Sequence, residues 1–348
     1  MRDVAVVAFA QSRHSAGDTE RSEVEILAPV IADAVAGAGI ERRSIGFTCS
    51  GSCDYLAGAP FSFVTALDAV GAWPPISESH VEMDAAWALY EAWVRLQHGD
   101  VDTALVYGFG KSSSVDVTGM LALQLDPYYQ APLWPDQVSL AALQARAYME
   151  ARGIDDTELA GVAAAAREAG AVNPNAVPYG SAEHPDPVEP LGAGDVPPVT
   201  DGAAAVILAA GDAARELCAR PAWIRGIAHR VEPHSIGARD LTRSESTGQA
   251  AEAAGLHAAG AAPVRVAEVH AQFSHEVLML RDALRLGPDV RINPSGGPLA
   301  ANPVMATGLV RIGEAASAVH DGSADRTVAH ATSGPCLQQN LVCVLEGE

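Results

Sequence analysis

Basic side chains are scarce in this 348-residue chain: 22 Lys and Arg stand against 43 Asp and Glu, a formal charge of -21 at pH 7. Binding to nucleic acid needs clustered cations that meet phosphates, so the charge balance argues against that function class. Long apolar runs are missing as well. No stretch of about 18 apolar residues free of charge could span a bilayer, and no signal-peptide pattern precedes the strand-like run "VAVVAFA". A cytoplasmic enzyme or subunit is the expectation. Cysteine is sparse and odd in number: Cys49, Cys53, Cys218, Cys336 and Cys343. Cys49 and Cys53 are near neighbours, but a zinc site calls for a second ligand pair that the spacing does not supply, so no metal is expected.

What the chain does have is apolar content, 49% of its residues, enough to bury a large core in two domains or in one large duplicated one. Short β-branched runs, "DVAVVAFA", "SIGFTCSG", "TALVYGFG", "AAVILAA", "VRVAEVHA", "RTVAHATSG" and "NLVCVLEG", alternate with helical stretches such as "EVEILAPVIADAVAGAG". That rhythm indicates α/β layers. It breaks between about Val115 and Val199, where "DPYYQAPLWPDQ", two helical stretches and a Pro-rich segment read as an insertion. The expected division is a first half over 1–114, an inserted region over 115–199 and a second half over 200–348.

The halves resemble each other. "EMDAAWALYEAWVRLQHGDVDTALVYGFGKS" runs helix, HGD turn, strand; "NPVMATGLVRIGEAASAVHDGSADRTVAHATSG" repeats that order with an HDG turn. Both helices are apolar nearly all round, and such helices must be buried on every side. Two of them, each feeding a strand, imply a sandwich with the helix pair between two sheets.

Several local strings resemble the thiolase superfamily, and within it the actinobacterial thiolase-like lipid-transfer proteins related to the sterol-carrier-protein thiolases. The strings are "SHVEMDAAWALYEA", "DGAAAVIL", "EVHAQFSHEV", "NPSGGPLAANPVMATG" and "HATSGPCLQQNLVCVLEG", and they span nearly the whole chain. The resemblance implies a five-layer αβαβα sandwich made of two duplicated halves with a loop-rich insertion. It also implies departures. Where the family carries its nucleophilic Cys, this chain reads Val81-Glu82-Met83-Asp84; Asn302 replaces the His of a Gly-His-Pro motif; Ala271 replaces the Asp of a His-Asp-x-Phe motif that keeps His270 and Phe273. The family's second Cys falls near Gly334, with Cys336 two residues on.

A cavity with polar donors and histidines but no nucleophile suits chemistry without a covalent intermediate. The resemblance implies retro-aldol cleavage of a β-hydroxyacyl-CoA in lipid or sterol side-chain degradation. His270 or Glu82 would be base, and Asn302 an oxyanion donor, since an Asn amide donates a hydrogen bond but cannot shuttle a proton. Gly296-Gly297 would let backbone approach the thioester, and Tyr128, Tyr129, Phe273 and His275 would line the substrate site. No cofactor is expected beyond the coenzyme A of the substrate. Two alternatives stand beside this reading: a catalytically inactive subunit of a heteromeric complex, and a Claisen-type acyltransferase using Cys336. The resemblance further implies a DUF35-type OB-fold partner and either a homodimer or a heteromer with a sister thiolase-like chain, paired through the first-half sheet edge. The best basic stretch carries Arg220, Arg225, Arg230, Arg239 and Arg243, offering either phosphate contacts or a scatter of solvated charges.

Overall fold

A computed structural model describes all residues, 1–348. Ten strands organise it: β1 (Val4–Gln11), β2 (Phe47–Gly51), β3 (Glu78–Val81), β4 (Thr103–Lys111), β5 (Asp201–Ala210), β6 (Ala222–Val231), β7 (Val266–Val269), β8 (Arg291–Ile292), β9 (Arg326–Ser333) and β10 (Gln339–Glu346). Their lateral order is β3-β2-β4-β5-β1-β6-β10-β9-β7-β8. Taken inward from either end, the order is the same series, the second set following the first five strands later. The pairing senses repeat too. β2 lies parallel to β3 and β4 as β7 does to β8 and β9, and the other pairs within each set of five are antiparallel. The sets touch only where Ala5 faces Trp223 and Val6 faces Ala222.

Period-two alternation assigns each sheet face to a layer. In β5, Ala204, Val206 and Leu208 enter the central core, while Ala203, Ala205 and Ile207 enter the outer one beneath the helix Glu23–Gly37. In β10, Leu341, Cys343 and Leu345 face the centre, and Val342 and Val344 face the outer helices Glu245–Ala253 and Ser274–Ala283. Between the sheets lie the helices Ala85–His98 and Thr307–His320, each buried on most of its surface. The layers therefore run helix, sheet, helix pair, sheet, helix, as the five-layer expectation required.

Two differences from the sequence reading stand out. β5, whose "DGAAAVIL" reads as the opening of the second half, pairs with β4 and β1 and completes the first sheet. The long insertion at 112–200 separates it from its sheet in sequence and disguises the affiliation. β3, β6 and β8 were not among the strand-like runs. β6 is only partly buried beyond Ile224, which leaves "AWIRGIAHRV" without a continuous apolar signal.

The central helices start against one another, and small residues permit it. A Cβ on Gly108 would fall 2.5 Å from Ala85 Cβ and 2.8 Å from the Met305 carbonyl oxygen; one on Gly308 would fall 2.5 Å from Asp84 Oδ1. The two helix starts also satisfy each other. Met305 O accepts from Ala85 N at 2.9 Å, and Asp84 accepts from Ala86 N and from Gly308 N, each at 2.8 Å. Orphan N–H groups of two buried helices are thus paired without water.

Candidate active site

Both helix starts open onto one cleft. Its polar lining includes Asp84, His270, Gln272, Asn302, Thr332 and Ser333; its apolar walls include Val117, Leu121, Leu125, Leu140, Val304 and Met305. Most of the lining comes from the 112–200 insertion, which folds over the ends of β4 and β9.

His270 follows β7 and is 3% exposed. Burial, with His330 and Arg311 nearby, pushes its pKa well below the ordinary imidazole value, so the ring is neutral at physiological pH. Its Nδ1 accepts from Thr332 N at 3.4 Å, and its Nε2 has no protein partner. A neutral imidazole that accepts at Nδ1 carries its proton on Nε2. His270 therefore presents a donor, not a base. Asn302 precedes the second central helix, and its N–H is held by Thr200 Oγ1 at 2.8 Å. Its Oδ1 accepts from Thr307 Oγ1 at 2.9 Å, leaving the amide NH2 as its free donor.

Asp84, named in the sequence only as part of the Val81-Glu82-Met83-Asp84 stretch that stands where the family has its Cys, lines the same cleft. Burial raises its carboxyl to about 6, against the opposing pull of the Ala86, Gly308 and Leu309 N–H groups and of Arg311. Behind the site, Arg311 Nη1 donates to Glu268 Oε2 and to Ser295 Oγ, both at 2.6 Å. That buried ion pair ties β7, which leads to His270, to the helix that follows Asn302. Met305, at φ 78, is the strained link between Asn302 and that helix.

Several expected site residues lie elsewhere. Glu82 is exposed and accepts from Asp54 N at 2.6 Å; its neighbour Asp84 turns inward instead. Cys336 is packed with Leu125, Leu140 and Ile236 behind the cleft wall, its thiol donating to Leu140 O at 3.4 Å. Burial pushes that thiol up to about 12, so it is protonated and a poor nucleophile. No cysteine lines the cleft. Tyr128 and Tyr129 are 81% and 83% exposed on the inserted loop, outside the lining. Phe273 packs with Val138, Ala141 and Leu159. His275 is fully buried and contacts Gln144 Oε1 at 3.2 Å, a core residue and not part of the substrate-site lining expected of it. Gly296 and Gly297, at φ 95 and 63, form a turn packed on Gly170, Ala300 and Asn293 and do not reach the cleft. Cys49 and Cys53 belong to different core clusters, and no group of three or more His, Cys, Asp or Glu side chains is arranged to hold a metal ion.

Within the Arg-rich stretch, Arg220 pairs with Asp325, Arg225 with Glu346 and Arg243 with Asp240. Arg239 instead donates to the Pro335 and Cys336 carbonyls and holds the loop that lines the cleft.

The layers, the duplicated strand order and a cleft at the starts of two facing buried helices define a chain with the thiolase-superfamily fold. No family model matches it. It is similar to the acetyl-CoA acetyltransferases of Methanothermobacter thermautotrophicus, at 28% identity over 90% of this chain and 90% of that protein, and of Methanocaldococcus jannaschii, at 28% identity over 90% and 89%. Among solved structures it resembles the Ltp2-ChsH2(DUF35) aldolase, with a TM-score of 0.81 and 19% identity over 99% of this chain and 98% of that one. The human mitochondrial 3-ketoacyl-CoA thiolase follows the same fold, with a TM-score of 0.76 and 15% identity over 99% of both. No helix is long and apolar enough to cross a membrane.

Proposed function

We propose that this protein acts on acyl-CoA thioesters, by retro-aldol carbon–carbon cleavage of a β-hydroxyacyl-CoA in lipid or sterol side-chain degradation. The observation that carries the reading is the cleft itself: it combines two neutral donors, His270 Nε2–H and the Asn302 amide, with no thiol. Cleavage of the Cα–Cβ bond turns the thioester into an enolate, whose oxygen two such donors would stabilise. Each donor contributes about 3–4 kcal/mol in comparable oxyanion holes. Acyl transfer through a Cys thioester has no support in this lining, because Cys336 is protonated and faces Leu140. Apolar walls from the insertion suit a lipid acyl group.

Two assembly features belong to the same reading. One structural neighbour is an Ltp2-ChsH2(DUF35) aldolase, and here Leu123, Tyr128, Tyr129, Leu133 and Trp134 expose a loop of large apolar side chains beside the cleft. That loop supports an OB-fold partner of the DUF35 type. β3 has β2 as its single neighbour, and its free edge supports pairing with a second copy or a sister chain.

The test is release of a short acyl-CoA from a branched β-hydroxyacyl-CoA, with and without a co-expressed OB-fold partner. His270→Ala and Asn302→Ala should each slow release by about 10²–10³-fold. A complex that forms and releases nothing would replace the aldolase with a scaffold subunit whose active site lies in its sister chain.

A further inference from the structure

Retro-aldol cleavage needs a group that removes the β-hydroxyl proton, and the cleft offers few. Among its lining residues only Asp84 and His270 are ionisable side chains of the acid–base kind. His270 is excluded as an acceptor, since its Nδ1 already takes the Thr332 N–H and its Nε2 carries the proton. Glu82 faces away from the cleft. Resting on the acyl-CoA reading, we infer that Asp84 is the catalytic base of this cleft and that it returns the same proton to the enolate carbon.

The proton and electron accounting closes without a co-reactant. The Asp84 carboxylate takes the hydroxyl proton, the oxygen lone pair becomes the carbonyl π bond, and the Cα–Cβ bond breaks with its electron pair passing to the thioester as an enolate. The enolate then takes the proton back from the Asp84 carboxyl at Cα. A carbonyl product and a shortened acyl-CoA leave, and the carboxylate is restored.

Asp84 is built for this and is more than a cap. It is 3% exposed yet lines an open cleft. Its Oδ1 takes Ala86 N and its Oδ2 takes Gly308 N, with Leu309 N–H adding to the hold. A carboxylate has about four acceptor positions, so one remains for substrate. The groups that set its titration come from both central helices: the three N–H groups at the helix starts and the Arg311 guanidinium all favour the ionised form, while burial opposes it. The outcome, about 6, is close to what proton transfer near neutral pH calls for. The unpartnered, buried Nε2 of His270 is the independent sign that a ligand oxygen belongs in the same space.

The experiment is exchange of the α-protons of acetyl-CoA and propionyl-CoA in D2O, catalysed by the protein with its co-expressed partner and followed by mass spectrometry. This reads enolisation alone. Asp84→Asn and Asp84→Ser both keep a helix-capping oxygen, and each should slow exchange by about 10²–10⁴-fold, with thermal melting used to show that they fold. Wild-type exchange should rise with pH through an apparent pKa near the value of about 6 that burial sets for Asp84. Exchange that survives in a folded Asp84 variant, that is flat with pH between 5 and 8, or that is absent from wild type would overturn the assignment. Exchange that depends on Asp84 without any carbonyl release from β-hydroxyacyl-CoAs would uphold it and overturn the retro-aldol reading alone.

Discussion

The two halves repeat strand for strand, yet the fourth and fifth strands are joined by residues 112–200 in the first and by residues 334–338 in the second. The repeated parts make layers. The unrepeated parts make most of the cleft, since the insertion from the first half closes over the strand ends of the second. A duplicated frame with one asymmetric connection is thus a way to enclose a site at the junction without disturbing either sheet.

The central helices show the same contrast at one position. The fifth residue of the first is Leu89, fully buried among apolar neighbours; the fifth of the second is Arg311, equally buried but paired with Glu268. Breaking that contrast is the largest effect expected. Arg311→Leu should destabilise the fold by about 3–5 kcal/mol, because Glu268 is left as an uncompensated buried charge. The double variant with Glu268→Leu should recover much of the loss, as a difference in urea midpoints would show. Recovery with activity still lost would mark the pair as a positioning device for His270 and Asn302 and not as a source of stability.

A second prediction concerns acid. His14 and His275 are pushed down to about 3 and His330 to about 4, and His270 is also lowered, all chiefly by burial. These rings bind fewer protons folded than unfolded, so stability should fall as pH drops from about 6.5 towards 4. Raised carboxyls have the opposite sign: Asp84 at about 6, Glu276 at about 7 and Glu268, all raised by burial, lose their contribution as pH rises through those values. His257 and His320 are lowered chiefly by burial as well, and Glu78 is raised, so six histidines stand against four carboxyls and the net slope between pH 4 and 6.5 is positive. Five of the six histidines belong to the second half, so amide exchange at pH 5 should open β7 and β9 before β4. Equal opening of both sheets would sink that expectation.

The smallest effect separates the two carbon–carbon chemistries. Cys336→Ser should change stability by less than about 1.5 kcal/mol, consistent with loss of a small packed thiol, and should leave acyl-CoA cleavage intact. Loss of activity with the fold preserved would revive the acyltransferase reading.

How much was legible in advance differs between frame and site. Apolar-all-round helices followed by strands announced the buried helix pair, because burial on every side is a property of composition. His270 and Asn302 were also reachable, through the resemblance of "EVHAQFSHEV" and "NPSGGPLAANPVMATG" to thiolase motifs. Asp84 was visible only as one of two carboxylates at the start of a buried helix: nothing in "VEMDAA" tells which of them turns inward. Phe273, Gly296, Gly297, Tyr128 and Tyr129 lie close in sequence to cleft residues, but a half-turn of chain sends each to the core or to the surface.

By itself, then, the sequence determined the layered α/β architecture, the repeat and the absence of a cation-rich surface, because periodicity and composition act locally along the chain. The tertiary structure alone decided that β5 belongs to the first sheet, that Cys336 is walled off and that Asp84, His270 and Asn302 share one cleft. Those outcomes depend on contacts between residues up to 224 positions apart, as Asp84 and Gly308 are, and on burial, which sets whether a given side chain donates, accepts or stays silent.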